Sequence, residues 1–345
     1  MTAPAPTPAV DPPLPAGRRP LLEVVDLHVR FDTAAGSAQA VRGVSFTVDE
    51  GETIGIVGES GCGKSATILS LPRLLPPSIA TTSGGSIRFD GTDLLHANER
   101  TLHSVRGGEI GVIFQDPLSS LNPVLRMRRQ LTEGPRQHLG LTKGEATERA
   151  LELLTAVGIP DPRRRLRQYP SEYSGGMRQR AMIAMALASE PRLLLADEPT
   201  TALDVTVQAQ ILALVRRLRV ERGLSVVWVT HDLGIIAGLA DRVLVMYAGT
   251  IVEQADVRTI YHEPHHPYTQ ALLDSIPRVD VRRRSALPSI PGAPPSLIDP
   301  PPGCPFTARC AHRMERCDHE RPTLRVIGEG HTSACFLDIT PKRSS

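Results

Sequence analysis

The chain has 345 residues, a net charge of +2, 22% charged residues and 3% aromatic residues. That length can build one large or two modest domains, and we read two; so ordinary a charge balance gives no reason to expect nucleic acid as a partner. No run of 18 apolar residues occurs, so no membrane-crossing helix is predicted and any membrane role is expected to be peripheral.

The first 20 residues hold seven prolines and lack the apolar core of a signal peptide. Residues 1–19 are therefore expected to form a disordered, uncleaved cytoplasmic tail. Leu22 to Arg30 and Val41 to Val48 alternate apolar and polar residues, which predicts two half-buried strands of an antiparallel lobe with a turn around Gly36. Phe31 follows the first of them, either as a flat ring that stacks on a base or as a core residue of the lobe.

Thr53 to Val57 reads as a buried strand and Ser65 to Leu69 as a helix, and between them lies Gly58-Glu59-Ser60-Gly61-Cys62-Gly63-Lys64-Ser65. Strand, glycine loop and helix in this order make a phosphate clamp: the loop amides, with those entering the helix at Ala66, point at phosphate oxygens. Lys64 is expected to reach the β- and γ-phosphates of a nucleotide, and Ser65 to hold Mg²⁺. Cys62 reads as a small filler whose N–H matters rather than its sulfur.

Ser86 to Gly91 predicts a strand entering a turn, and Ile110 to Phe114 a buried strand that ends at Gln115. From Pro117 to Tyr173 strand signals vanish, while Glu145 to Val157 has helical spacing, so a helical subdomain is expected. Ser174-Gly175-Gly176 opens the next helix, with serine as a natural N-cap and small residues that can admit an anion. Leu193 to Ala196 is an apolar strand delivering Asp197 and Glu198 to its C-terminal end, where Asp197 can hold Mg²⁺ through water and Glu198 can polarise an attacking water. Asp204 leads into a helix with Ile211, Leu214, Val215 and Leu218 on one face, and Ser225 to Val229 is a strand ending at His231. His231 is expected to contact a γ-phosphate.

The tail contains Cys304, Cys310, Cys317 and Cys335, separated by five, six and seventeen residues. Structural disulfides are not expected in a reducing compartment. Four soft ligands suggest a metal, yet neither zinc-knuckle nor ferredoxin spacing fits, and spacing alone leaves cluster, zinc and buried thiols open.

The phosphate loop, Gln115, Ser174-Gly175-Gly176, Asp197-Glu198, Asp204 and His231, in this order, closely resemble the nucleotide-binding domain of ABC (ATP-binding cassette) proteins over about residues 20 to 260. Where the family usually has Leu-Ser-Gly-Gly-Gln, this chain has Tyr173-Ser174-Gly175-Gly176-Met177, which bears on turnover rate rather than on mechanism. Gln115-Asp116-Pro117, Ser120-Leu121-Asn122-Pro123, the stretch from Glu263 to Leu273, Ile290 to Pro295, Gly303 to Phe306 and Arg309-Cys310 are similar to ATP-binding subunits of oligopeptide/dipeptide importers.

The resemblance implies an α/β, ABC-type P-loop ATPase core with an antiparallel β lobe, a helical subdomain over about 117–190, and an irregular C-terminal extension over 261–345. It implies ATP and Mg²⁺, with Glu198, His231, Gln115 and Lys64 as catalytic residues and Ser65, Gln115 and Asp197 around Mg²⁺. Phe31, Gly58 to Ala66, Ser174, Gly175, Gly176 and Asp204 are the implied nucleotide contacts. Relatives with this tail carry a [4Fe-4S] cluster, which implies the four tail cysteines as its ligands. The implied partners are a second ABC ATPase subunit, identical or related, two membrane-spanning permease subunits and, indirectly, an external solute-binding protein, at the cytoplasmic face of the membrane. A soluble ABC ATPase without a permease is the alternative, and such proteins usually carry two cassettes or long inserts in one chain.

Overall fold

The computed structural model describes residues 20–200, 203–276 and 290–337, without the side chains of residues 118 and 119. The expected N-terminal tail, 1–19, lies outside the described residues. Strands β1 (Leu22–Thr33) and β2 (Gly36–Val48) form a hairpin in which Thr33 faces Gly36, so the turn is Ala34-Ala35 and Gly36 already belongs to the second strand. Then come β3 (Thr53–Val57), the phosphate loop and α1 (Lys64–Ser70). Strand β4 (Ala80–Phe89) pairs with the other edge of β1, and the two-residue β5 (Thr92–Asp93) completes an antiparallel sheet of order β2-β1-β4-β5. This is the expected lobe.

After α2 (Glu99–Val105) and β6 (Ile110–Ile113) the chain runs through helices and turns, with no strand before residue 193. It forms α3 (Pro117–Ser120), α4 (Met127–His138), α5 (Lys143–Ala156), α6 (Pro162–Arg165) and α7 (Gly175–Ala186). Helix α5 starts at a reciprocal cap, in which the Thr142 hydroxyl accepts from the Glu145 amide and the Glu145 carboxylate accepts from the Thr142 amide.

Strand β7 (Leu193–Asp197), helix α8 (Val205–Arg222), β8 (Ser225–Thr230), α9 (Leu233–Leu239), β9 (Arg242–Tyr247) and β10 (Thr250–Asp256) return to the sheet. The remainder holds α10 (Val257–His262), α11 (Pro267–Asp274), α12 (Arg316–His319), β11 (Arg325–Gly328) and β12 (His331–Ser333). The second sheet has the order β11-β12-β10-β9-β3-β8-β7-β6, with β9, β3, β8, β7 and β6 parallel and the other three added antiparallel. The extension therefore carries more regular structure than its sequence suggested, and it lengthens the main sheet.

Strands β3, β7 and β8 are buried at every position, as parallel strands covered on both faces must be. Because side chains alternate, one face of the sheet (Leu193, Leu195, Val227, Val229) packs on the antiparallel lobe and α1. The other face (Leu194, Ala196, Val226, Trp228) packs on α7 and α8 and reaches Cys304, Phe306 and Cys317 of the extension. The parallel strands end nearly level: Val57 faces Thr230, Asp197 faces Val229, and Ile113 faces Ala196. Everything just beyond those residues meets on one edge.

Candidate nucleotide site

The phosphate loop turns at that edge under tight steric control. A Cβ on Gly58 would lie 2.2 Å from the Met246 carbonyl oxygen, and one on Gly63 would lie 2.2 Å from that of Ala40, so only glycine lets the loop sit against β9 and β2. Gly63 caps α1 in the left-handed region without a side-chain bond, which suits the first-turn amides to an anion. Lys64 is buried, its ammonium donating to the carbonyls of Gly58 (2.7 Å) and Glu59 (2.9 Å). Cys62 is also buried, and desolvation pushes its thiol up.

The Ser65 hydroxyl donates to Asp197 Oδ1 at 2.9 Å, joining the loop to the end of β7. Asp197 is 3% exposed; burial pushes its carboxyl above the ordinary range, with the Ser65 hydroxyl opposing that shift. A desolvated carboxylate beside a serine oxygen is a pair of hard oxygen donors suited to a divalent cation.

Glu198 follows with φ +45, a left-handed conformation uncommon outside glycine, and its amide donates to the Val229 carbonyl at 3.0 Å. The turn leaves the Glu198 side chain 13% exposed, with His231 Nδ1 at 3.2 Å from its Oε2. The adjacent acid and the histidine from the neighbouring strand thus meet. Gln115 is exposed, two residues past β6.

Phe31 is half-buried on β1 between Ala38 and Ala80, with part of its ring on the lobe core and part uncovered. Ser174 is the N-cap of α7, its hydroxyl accepting from the Met177 amide, and Asp204 caps α8 by accepting from the Val207 amide. Helix α7 packs on the helical region and on β6, which lies three strands from β3. Signature and phosphate loop are therefore set apart in one chain.

Two residues to which the sequence gave no place in the site, Arg309 and Tyr268, touch the loop, and Tyr247 braces both. Arg309 forms a two-pronged ion pair with Glu59, Nη1 to Oε2 at 2.6 Å and Nη2 to Oε1 at 2.9 Å. The Glu59 amide donates to the Tyr268 hydroxyl at 2.8 Å, and Tyr247 stacks against Tyr268 with ring centroids 4.5 Å apart. An arginine directly before Cys310 was the available signal, but its partner lies 250 residues away.

The four tail cysteines converge on one cavity, shared with His266, Phe306, Met314 and Phe336. Cys304 and Cys317 are buried and Cys310 and Cys335 half-buried, all as free thiols. Burial pushes the Cys304 thiol up to about 11, with the neighbouring cysteines adding to it, and raises Cys310 and Cys335 in the same way. Among the described residues no group of three or more His, Cys, Asp or Glu stands in an arrangement that could hold a metal ion. The cysteines implied as ligands are thus gathered without being posed as an ion site.

Comparison with known proteins agrees with this geometry. The family described as ABC transporter matches residues 41–201, and the oligopeptide/dipeptide transporter C-terminal region matches residues 252–317. A dimeric ATP-binding cassette in a post-hydrolysis state bound to ADP and Pi superposes with a TM-score of 0.63 at 27% identity, covering 69% of this chain and 99% of that one. The dipeptide transport ATP-binding protein DppD of Bacillus subtilis is 50% identical over 92% of this chain and 94% of its own. OppD of Salmonella typhimurium, an oligopeptide transport ATP-binding protein, is 49% identical with the same coverages. A probable peptide ABC transporter ATP-binding protein of Sinorhizobium fredii is 52% identical, again over 92% and 94%.

Fold and site together define an ATPase of the ATP-binding cassette class. Within that class the chain belongs to the family of oligopeptide/dipeptide ABC transporter ATP-binding subunits. Among the described residues no helix is long and apolar enough to cross a membrane.

Proposed function

We propose that this ATPase powers an importer of oligopeptides or dipeptides, docked on the cytoplasmic face of the membrane against two permease subunits that an external solute-binding protein supplies. The observation that carries the cargo is identity near 50% over nine-tenths of the chain to three peptide or dipeptide transport ATP-binding proteins, with the tail included. Residues 20–260 form the nucleotide-binding domain, with a helical subdomain over about 117–190, and 261–345 form the extension.

In the working site Lys64 and the amides from Gly58 to Ala66 hold the phosphates, and Phe31 stacks on adenine. Ser65, Asp197 and Gln115 would hold Mg²⁺, which when bound would supply charge neutralisation at the phosphates. Glu198 takes the proton of the attacking water, and His231, paired with Glu198, donates toward the γ-phosphate. Ser174, Gly175, Gly176 and Asp204 act on the nucleotide held by a second ATPase subunit, identical or related. Support comes from the distance in the fold between signature and loop and from the dimeric cassettes this chain is similar to.

The four tail cysteines are proposed as ligands of a [4Fe-4S] cluster. What supports this is the donor type: among the described residues four soft sulfurs line one cavity and no carboxylate does. Such a cluster would staple the extension by holding residues from several loops together.

The test is co-purification with the permease subunits and reconstitution in vesicles with the binding protein. Peptide-stimulated ATP hydrolysis is expected. Robust ATPase activity with no associated permease would instead identify a soluble ABC ATPase.

A further inference from the structure

We infer that Arg309, in the extension, is a positioning residue for the phosphate loop, so that affinity for ATP is set partly from outside the nucleotide-binding domain. The Arg309 side chain is 3% exposed, against 26% for Glu59. Its guanidinium makes five bonds: two to the Glu59 carboxylate, one from Nη1 to the Tyr247 hydroxyl (3.2 Å), one from Nε to the Pro291 carbonyl (2.9 Å) and one from Nη2 to the Ile290 carbonyl (3.1 Å). A guanidinium has five N–H donors, and a buried one is tolerated when they are satisfied. Arg309 is thus locked to the extension on one side and grips the loop with its fork on the other.

What it grips matters because Glu59 is held at three points. Arg309 fixes the carboxylate, Tyr268 accepts from the amide, and the carbonyl accepts from Lys64. Lys64 is the residue that must reach the phosphates, and the loop carrying it has glycines at 58, 61 and 63. A glycine-rich loop pays an ordering cost on binding unless it is already ordered, and clamping Glu59 removes part of that cost beforehand. Apart from the Lys64 ammonium on the Glu59 carbonyl, the clamp meets none of the reacting groups: it touches none of Ser65, Asp197, Glu198 or His231. Its effect should therefore fall on nucleotide affinity and spare the chemical step.

The inference rests on ATP being held by this loop, and the experiment separates the two claims. ATP affinity and steady-state hydrolysis are measured on full-length protein, with Lys64→Ala reporting whether the loop binds ATP at all. Arg309→Met is expected to weaken ATP binding and raise KM about tenfold with kcat within about twofold, the signature of lost uniform binding. Arg309→Lys keeps the charge without the fork and should recover only part of the affinity. Glu59→Ala, which leaves the extension intact, should weaken binding to a similar degree, and the double variant should be no weaker than either single one. Arg313→Ala breaks an ion pair with Asp318 inside the extension and should leave KM unchanged. Unaltered affinity in Arg309→Met, or single effects that multiply in the double variant, would overturn the inference; so would a fall in kcat at constant KM.

Discussion

At the scale of single residues, the site depends on Glu198 being carried past the end of β7 in a left-handed conformation, which puts its carboxylate against His231. Such a backbone state costs free energy in a non-glycine residue and concentrates at working sites. Replacing the carboxylate by its amide keeps the shape and removes the proposed base. Glu198→Gln should bind ATP as the parent does, lose about 10²–10⁴ in kcat and accumulate as an ATP-bound dimer, which gel filtration with nucleotide would reveal. Hydrolysis near the parental rate would mean that another group takes the proton. Lys64, Ser65, Asp197, Glu198 and His231 were legible because each stands at a fixed place beside a strand end, and strand ends could be read from apolar runs. Glu59 was read only as one of the loop's nucleotide contacts, Gly58 to Ala66. Its role depends on Arg309, a contact across 250 positions that no local pattern encodes.

At the scale of elements, strands with uninterrupted apolar runs, such as Leu193 to Ala196, were readable, and so was the serine cap of α7. The face of α7 was less so, because Met182, Ile183 and Ala184 are buried together with Ala181; a helix enclosed on most sides has no clean period. The polar knot that joins the extension to β10 left no sequence signal. Glu253, fully buried, accepts from the amides of His265 (2.6 Å) and His266 (2.9 Å) and bonds His331 Nε2 at 2.7 Å. Burial would raise its carboxyl, but the bonds from His331 and these amides outweigh burial and hold it below the ordinary range. His266 Nδ1 accepts from the Tyr268 amide and caps α11, and burial pushes this imidazole down to about 4, the Glu253 charge opposing. The signs agree. Between pH 6.5 and 4 the unfolded histidine takes a proton that the folded one refuses, so stability falls as pH drops through that window, by up to about 3 kcal/mol. The Glu253 contribution is present above its unfolded value and is lost at still lower pH, as the carboxyl protonates through its depressed folded value. Urea unfolding at pH 7, 5.5 and 4 should trace this loss, and His266→Asn, which retains a cap acceptor without titrating, should flatten it above pH 4. An unchanged slope would place the acid sensitivity elsewhere.

At the scale of the whole molecule, one separation and one junction matter: the signature stands apart from the loop within one chain, while the extension is joined to it. The first predicts rescue by mixing. Lys64→Ala and Ser174→Arg should each be inactive as homodimers, and where the cassette self-associates their mixture should regain activity, because a mixed pair has one site with an unmutated loop and an unmutated signature. No recovery, with parental homodimers active, would show that each chain completes its own site. The junction changes what the cysteines are expected to do. The sequence suggested an irregular extension following the nucleotide-binding domain, with four cysteines as implied cluster ligands. Yet Cys304, Phe306 and Cys317 share a core with the main sheet, β12 extends that sheet, and Arg309 sits between Cys310 and the loop. Anaerobically purified protein should contain iron and acid-labile sulfide, and Cys310→Ala should lose both while the sheet-built core still binds ATP. Binding should be several-fold weaker than in the parent, because a loosened extension holds Arg309, and through it Glu59, less firmly. Stoichiometric zinc without sulfide would replace the cluster but keep the staple. Parental ATP affinity in a variant stripped of metal would show that the aromatic packing of Tyr247, Tyr268 and Phe306 alone keeps Arg309 in place.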